Sequence, residues 1–109
     1  MRDSVPGKLS HEIIFLENIT NSDLEDENWV EKSRAFAEIR PLYDNKFGSI
    51  ENFTFGHIVT ENFFMFKIRY FPDVSTKMRI QYQERNFEIK RIINLSEQNQ
   101  FLQIISLEI

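Results

Sequence analysis

A small antiparallel β-barrel of about six strands, with one short helix and long loops, is the fold this sequence predicts. Three observations predict it. Six segments alternate apolar and polar residues with the period of two that a half-buried strand requires. Most connections are of hairpin length or carry the turn formers Pro, Gly, Asn and Asp. A chain of 109 residues with eleven Phe and 41% hydrophobic content can fill one modest core but not two, so residues 1–109 are expected to form one domain.

Leu9 to Leu16 opens the series, with Leu9, His11, Ile13 and Phe15 on one face and Ser10, Glu12, Ile14 and Leu16 on the other. Residues 17–31, ENITNSDLEDENWVE, follow as a long loop holding six acids, no base and the lone Trp29. Ser33 to Arg40 returns to alternation, setting Ala35, Ala37 and Ile39 against Arg34, Phe36, Glu38 and Arg40. Pro41 ends that strand, because proline cannot donate to a ladder. Alternation fails in LYDNKFGSIENFTFG, residues 42–56, where Ser49 is placed to cap a single helical turn reaching Phe53. From Ile58 to Tyr70 the strand pattern is strongest: Phe64, Phe66, Ile68 and Tyr70 alternate with Met65, Lys67 and Arg69, and Phe63 adds to the second face. FPDVSTK turns the chain. Met78, Ile80 and Tyr82 then alternate with Arg79 and Gln81, and Phe87 and Ile89 continue past a turn at Gln83 and Glu84. At Lys90 and Arg91 the alternation slips, which predicts a bulge that returns Ile92 to the core side. The last strand, FLQIISLEI, is apolar on both faces; Ile105, Leu107 and Ile109 are expected inside, with Leu102, Ile104, Ser106 and Glu108 opposite them.

The composition excludes several chemistries. There is no Cys, hence no disulfide staple and no thiolate metal site, which fits a reducing compartment. No window approaches the roughly 18 apolar residues of a membrane span, and no apolar run precedes the first strand, so a chain neither exported nor membrane-embedded is expected. Sequons at Asn18, Asn52 and Asn94 then count as chance. His11 and His57 are the only imidazoles and neither sits in a triad-like pattern; His11 shares a face with Leu9 and Ile13, as a core or boundary residue would. DLEDE at residues 23–27 lacks the glycine and final glutamate of a calcium loop. Three scattered glycines make no phosphate cradle. No catalytic residue, cofactor or metal ligand is therefore assigned.

Charge is unevenly spread. Net charge is −4, yet residues 1–63 carry twelve acids and six bases while residues 64–94 carry three acids and seven bases. Unlike charges on separate strands either stay solvated or face one another between copies.

In order, the chain presents GKLSHEIIFLE, Trp29 in a polar stretch, RAFAEIRPL, and FKIRYFPDVSTKMRIQYQERNFEIKRIINLSEQNQFLQIISLE. Over nearly its whole length it resembles the phage head-tail joining family, the head-completion, stopper or head-tail adaptor proteins of tailed phages and gene transfer agents. The most specific part is the succession of IRY at 68–70, MRI at 78–80 and R-x-F-E-I at 85–89, closed by a strand ending at Glu108. Two departures stand out. Gln83 and Glu84 occupy a hairpin turn where such proteins commonly have glycines, and DLEDEN replaces a Gly-rich stretch before the Trp. Non-glycine residues in left-handed turn positions cost roughly 1 kcal/mol each, so a different turn type is expected.

The resemblance implies a non-enzymatic virion protein of the head-tail connector, made in the bacterial host cytoplasm by a phage, prophage or gene transfer agent. It implies a homo-oligomeric ring, monomeric in isolation, that docks beneath portal and adaptor ring proteins, closes the DNA-filled head and offers a platform to a tail terminator-type protein. Packaged double-stranded DNA would pass through without sequence-specific binding, and no membrane is involved. Tyr43 to Phe55 is similar to the family's channel segment, which singles out Asp44, Asn45, Lys46, Phe47 and Gly48; a mere cover over the barrel mouth by Phe47, Phe53 and Phe55 is the competing reading. Asp26, Glu27 and Trp29 form the second interaction element, Trp29 being either an anchor for a partner or a lid on its own barrel. Arg69 and Arg79 are expected on neighbouring strands, facing outward, paired with acids of an adjacent copy or solvated. Phe63, Met65, Leu102 and Ile104, opposite the expected core set, are candidate ring contacts. The alternative is a small OB-like nucleic-acid-binding barrel using Lys67, Arg69, Arg79, Arg85, Lys90 and Arg91, which the acidic balance opposes; a third reading is a general interaction module.

Overall fold

A computed structural model describes residues 9–20, 27–42 and 62–109. Six strands form: β1 (His11–Asn18), β2 (Trp29–Pro41), β3 (Phe63–Arg69), β4 (Arg79–Tyr82), β5 (Arg85–Asn94) and β6 (Phe101–Glu108). They close into a barrel in the order β1-β2-β3-β6-β5-β4, with β4 returning to β1 and every neighbour antiparallel. Closure removes the free sheet edges that would otherwise invite pairing with another chain.

The inward set follows the alternation. Ile13 and Phe15 of β1, Ala37 of β2, Phe66 and Ile68 of β3, Ile80 of β4 and Phe87 of β5 are all fully buried. At the centre the Phe87 ring meets Phe66 edge-on at 4.9 Å and Phe64 edge-on at 5.4 Å, the geometry that ring quadrupoles favour. The connection 70–78 crosses the barrel end between β3 and β4, where Phe71 stacks on Phe15 and Val74 packs on the core.

β6 corrects the expected faces. Leu102 and Ile104 belong to the interior and Ile105 lies on the outer side. Register is the cause: Phe66 pairs with Ile104 and Ile68 with Leu102, and directly paired residues share a face. Met65 and Ile105 form a second buried cluster outside the barrel with Leu42, Phe63 and Ile93. Met65, Leu102 and Ile104 are therefore not exposed contact residues.

The bulge at Lys90 is present, the register jumping from Ile89 to Arg91, and Ile92 packs on the core. A second irregularity lies in the first hairpin, where Phe15 pairs with Ser33 but Leu16 pairs with Glu31. β2 begins at Trp29, four residues before the alternation suggests, so Trp29 is a strand residue and not part of a loop. At the β4–β5 turn only Gln83 takes a left-handed conformation, with φ 57°; a type I′ turn would need both central residues there. The expected helical turn at Ser49 to Phe53 lies outside the described residues. Among the described residues the helical element is a 3-10 turn, Leu95–Glu97, after which the Asn99 N–H donates to Asn94 Oδ1 at 3.1 Å.

Antiparallel closure sorts the connections. The end of β1, the start of β2, residues 70–78 and residues 95–100 gather at one end; the end of β2, the start of β3 and the Gln83–Glu84 turn lie at the other. At that second end Arg85 makes a two-pronged bond to Glu108, 3.0 Å from Nε to Oε2 and 3.0 Å from Nη2 to Oε1. Its guanidinium also lies over Phe64 and Phe87 at 5.0 and 5.2 Å. These hydrogen bonds, with a smaller opposing effect of burial, hold the Glu108 carboxyl below its ordinary value.

Phe87→Ala removes the ring shared by both aromatic contacts and should cost about 3–5 kcal/mol, read as a lowered denaturant midpoint. Glu108 adds stability that is present above the ordinary carboxylate range and lost as pH falls through its depressed folded pKa. Glu108→Gln should cost about 0.5–1 kcal/mol at neutral pH, a modest figure because the pair is partly exposed. Thermal melts at neutral and acid pH should show the two proteins converging on acidification.

Candidate functional site

At the end of the barrel where β2 and β4 begin, three side chains predicted as interface residues come together. Trp29 points outward from the start of β2, opposite Asn18 of β1. Arg79 points outward from the start of β4, because its neighbours Met78 and Ile80 are buried in the core. The Arg79 guanidinium lies over the Trp29 ring, 4.1 Å from its centroid, the distance of a well-formed cation–π contact. Glu27 joins both: its Oε1 accepts from Trp29 Nε1–H at 3.0 Å and lies 3.5 Å from Arg79 Nη2. Trp29 is half-buried by this arrangement, so in the free barrel it is held by its own chain while still presenting an edge to solvent.

Arg79 is the hinge of the cluster. It stands opposite Glu88 across β5 and Leu16 across β1. Glu88 is held below the usual carboxylate value, first by the Lys90 hydrogen bond and, to a smaller extent, by the Arg79 charge. The Arg79 Nε–H is buried without a hydrogen-bond partner, a cost that the Trp29 stack and Glu27 offset in part.

Beside the cluster an open groove of about 630 Å³ is lined by Glu17, Asn18, Trp29, Lys32, Asp73, Ser75, Lys77 and Met78. Lys32 bonds Glu17 at 3.0 Å, and that hydrogen bond raises the Lys32 pKa above its ordinary value. Two acids, Glu17 and Asp73, and two bases, Lys32 and Lys77, line the groove, so it suits a polar protein surface better than a uniformly charged ligand. No group of three ionisable side chains gathers for a metal among the described residues. His11 sits at the opposite end, its Nδ1 3.0 Å from the Tyr82 hydroxyl and its ring edge-on at 5.5 Å, a boundary pair with no nucleophile attached.

Arg69 does not join Arg79. β3 and β4 are not neighbours, and three steps separate them in either direction around the barrel, so the two arginines occupy opposed walls. The expectation of adjacent strands treated consecutive strands as paired, whereas β6 inserts between β3 and β5. Arg69 instead shares the Phe101 ring with Lys67: Arg69 Cζ is 5.8 Å and Lys67 Nζ 5.0 Å from its centroid. Asp26 and the channel candidates Asp44, Asn45, Lys46, Phe47 and Gly48 lie outside the described residues.

Two residues without an assigned role come forward. Phe36 is 57% exposed in the middle of β2, and Phe101 receives both cations of β3. Phe36 carries a sequence signal, an aromatic residue at a polar-face position between Arg34 and Glu38. Phe101 carries none, since its significance comes from the β3–β6 register, Arg69 opposite Phe101.

Comparison with known proteins adds the following. The family model described as phage head completion protein matches residues 5–109. A chain of the virion of a native gene transfer agent particle superposes with a TM-score of 0.67 at 16% identity, over 95% of this chain and 98% of that one. The solution structure of protein SF1141 from Shigella flexneri 2a superposes with a TM-score of 0.65 at 18% identity, over 94% of each chain. No curated protein matches.

Because Trp29 is the sole tryptophan, its fluorescence reports this site directly. Arg79→Ala should shift its emission to longer wavelength and increase quenching by acrylamide. The melting temperature should fall by less than in Phe87→Ala, since the cluster covers the surface and not the core. Unchanged quenching would show that the stack does not shield the indole.

Proposed function

The chain belongs to the phage head completion protein family, whose members are structural proteins of the virion head, and we propose that it acts at the head-tail connector as a ring that closes the DNA-filled head and carries the tail platform. The observation that carries this reading is the two-ended barrel. Its closed wall has no free edge, and its two longest connections leave from opposite ends, one beside the Trp29 cluster and the other after Leu42. A component that must bind one partner above and another below needs that distribution. The same fold in a gene transfer agent virion agrees with it.

In this proposal the Glu27–Trp29–Arg79 end and its mixed-charge groove dock onto one protein partner, a portal or adaptor ring or a tail terminator-type protein. The segment after Leu42, with Asp44, Asn45, Lys46, Phe47 and Gly48, is assigned toward the ring axis by the family likeness. The role is structural and non-enzymatic.

The nucleic-acid-binding alternative is favoured by one observation, the Lys67 and Arg69 cations about Phe101. The rest of the basic set is largely neutralised within the chain: Arg79 by Glu27, Arg85 by Glu108 and Lys90 by Glu88. A continuous basic track of the kind that follows a phosphate backbone is therefore broken by carboxylates.

The test is assembly. Heads of the parent particle lacking this protein should lose packaged DNA and fail to accept tails, and purified protein should restore both. Restoration by Trp29→Ala should be weaker by about tenfold or more, the scale of a lost aromatic anchor. Heads that retain DNA and join tails without the protein would overturn the proposal.

A further inference from the structure

We infer that neighbouring copies in the ring meet front to back, the Phe36–Lys67–Arg69–Phe101 face of one barrel receiving the Glu27–Trp29 corner of the next; the inference rests on the ring reading above. The receiving face is built from three adjacent strands. Ala37 pairs with Ile68, so Phe36 and Arg69, one residue away on each strand, stand beside each other on the outer side. Arg69 in turn pairs with Phe101. The result is an exposed phenylalanine flanked by two cations that share a second aromatic ring.

Among the described residues these two cations stand apart from most of the other bases. Lys32, Arg34, Arg40, Arg79, Arg85 and Lys90 each have a carboxylate partner. Lys67 and Arg69 have none among the described residues, a state shared with Lys77 at the groove. Glu38, directly opposite Lys67, is taken by Arg40. Two like charges side by side, in a protein of net charge −4, await an external anion. The exposed Phe36 adds an apolar anchor, and aromatic residues with arginine are the combination that dominates protein interfaces.

A separate corner of the barrel supplies the anion. Glu27 is 61% exposed, and both of its contacts use Oε1, leaving Oε2 without a partner among the described residues. The corner is centred outside β1, since Trp29 pairs with Asn18 and Arg79 with Leu16, whereas the basic face is centred on β3, two strands further around the barrel, so the two surfaces are separate and turned away from each other. Like faces repel, which disfavours a two-fold dimer, whereas front-to-back contact repeats around a ring. A duplex DNA partner would use the cations but leave the exposed phenylalanine without an apolar contact, so a second copy accounts for more of the face.

The chain has no cysteine, so introduced thiols report without background. Arg69→Cys and Glu27→Cys are oxidised separately, mixed, and as a double variant, in concentrated solution and on DNA-filled heads. The mixture should give a disulfide-linked dimer, the double variant a ladder of higher species, and each single variant alone only monomer. Lys67→Glu with Arg69→Glu should melt like the wild type yet lose the oligomers that the wild type forms in concentrated solution or on DNA-filled heads. Homodimers of Arg69→Cys alone, or wild-type assembly by the double charge reversal, would overturn the inference while leaving the ring standing. A wild-type chain that forms no oligomer in solution or on heads overturns the ring and this contact together. If the charge reversal instead abolishes salt-sensitive binding of a duplex oligonucleotide and spares assembly, the face belongs to DNA and the inference fails.

Discussion

Two non-local pairings, β3 with β6 and β4 with β1, turn a row of strands into a cylinder. Without them the interior would open to water and the phenylalanines at its centre would lose their burial, the dominant stabilising contribution in a domain of this size. The same pairings leave no unpaired row of backbone donors and acceptors at a sheet edge. Association must then proceed through side chains on the wall and connections at the ends, and this constraint shapes every interaction surface of the molecule.

Closure also sets direction. With all neighbours antiparallel, connections alternate between the two ends, so the Trp29 cluster and the exit after Leu42 are separated by the length of the strands. Each end is stabilised by a different device. At one, Arg79 bridges Trp29 and Glu27 across the outer surface. At the other, Arg85 lies over two core phenylalanines and bonds Glu108, joining the start of β5 to the end of β6. Both arginines combine ring stacking with a carboxylate contact, a pairing of roles that lysine serves poorly.

The electrostatic pattern of a head completion protein has its own logic. Carboxylates within and across strands pair with Lys32, Arg34, Arg40, Arg79, Arg85 and Lys90, while Lys67 and Arg69 of β3 have no carboxylate partner among the described residues. Exposed ion pairs contribute little to stability, so their arrangement bears more on what the surface repels and accepts than on folding.

The period-two alternation alone determined the six strands, the inward faces of β1 to β5 and the bulge at Lys90, because burial of one strand face leaves a mark in every second residue. It also turned Arg79 outward, while Glu27 and Trp29 were marked by the acidic, aromatic character of a stretch read as a loop; that the three form one cluster was not legible. Strand order, and with it the separation of Arg69 from Arg79, came only from the tertiary structure, since alternation says which way a side chain points and nothing about which strand lies beside it. β6 shows the same limit: apolar on both faces, it has no preferred side until its register with β3 places Leu102 and Ile104 inside. The shared use of Phe101 by Lys67 and Arg69 is likewise a product of register, formed by residues more than thirty positions apart whose proximity no local pattern encodes.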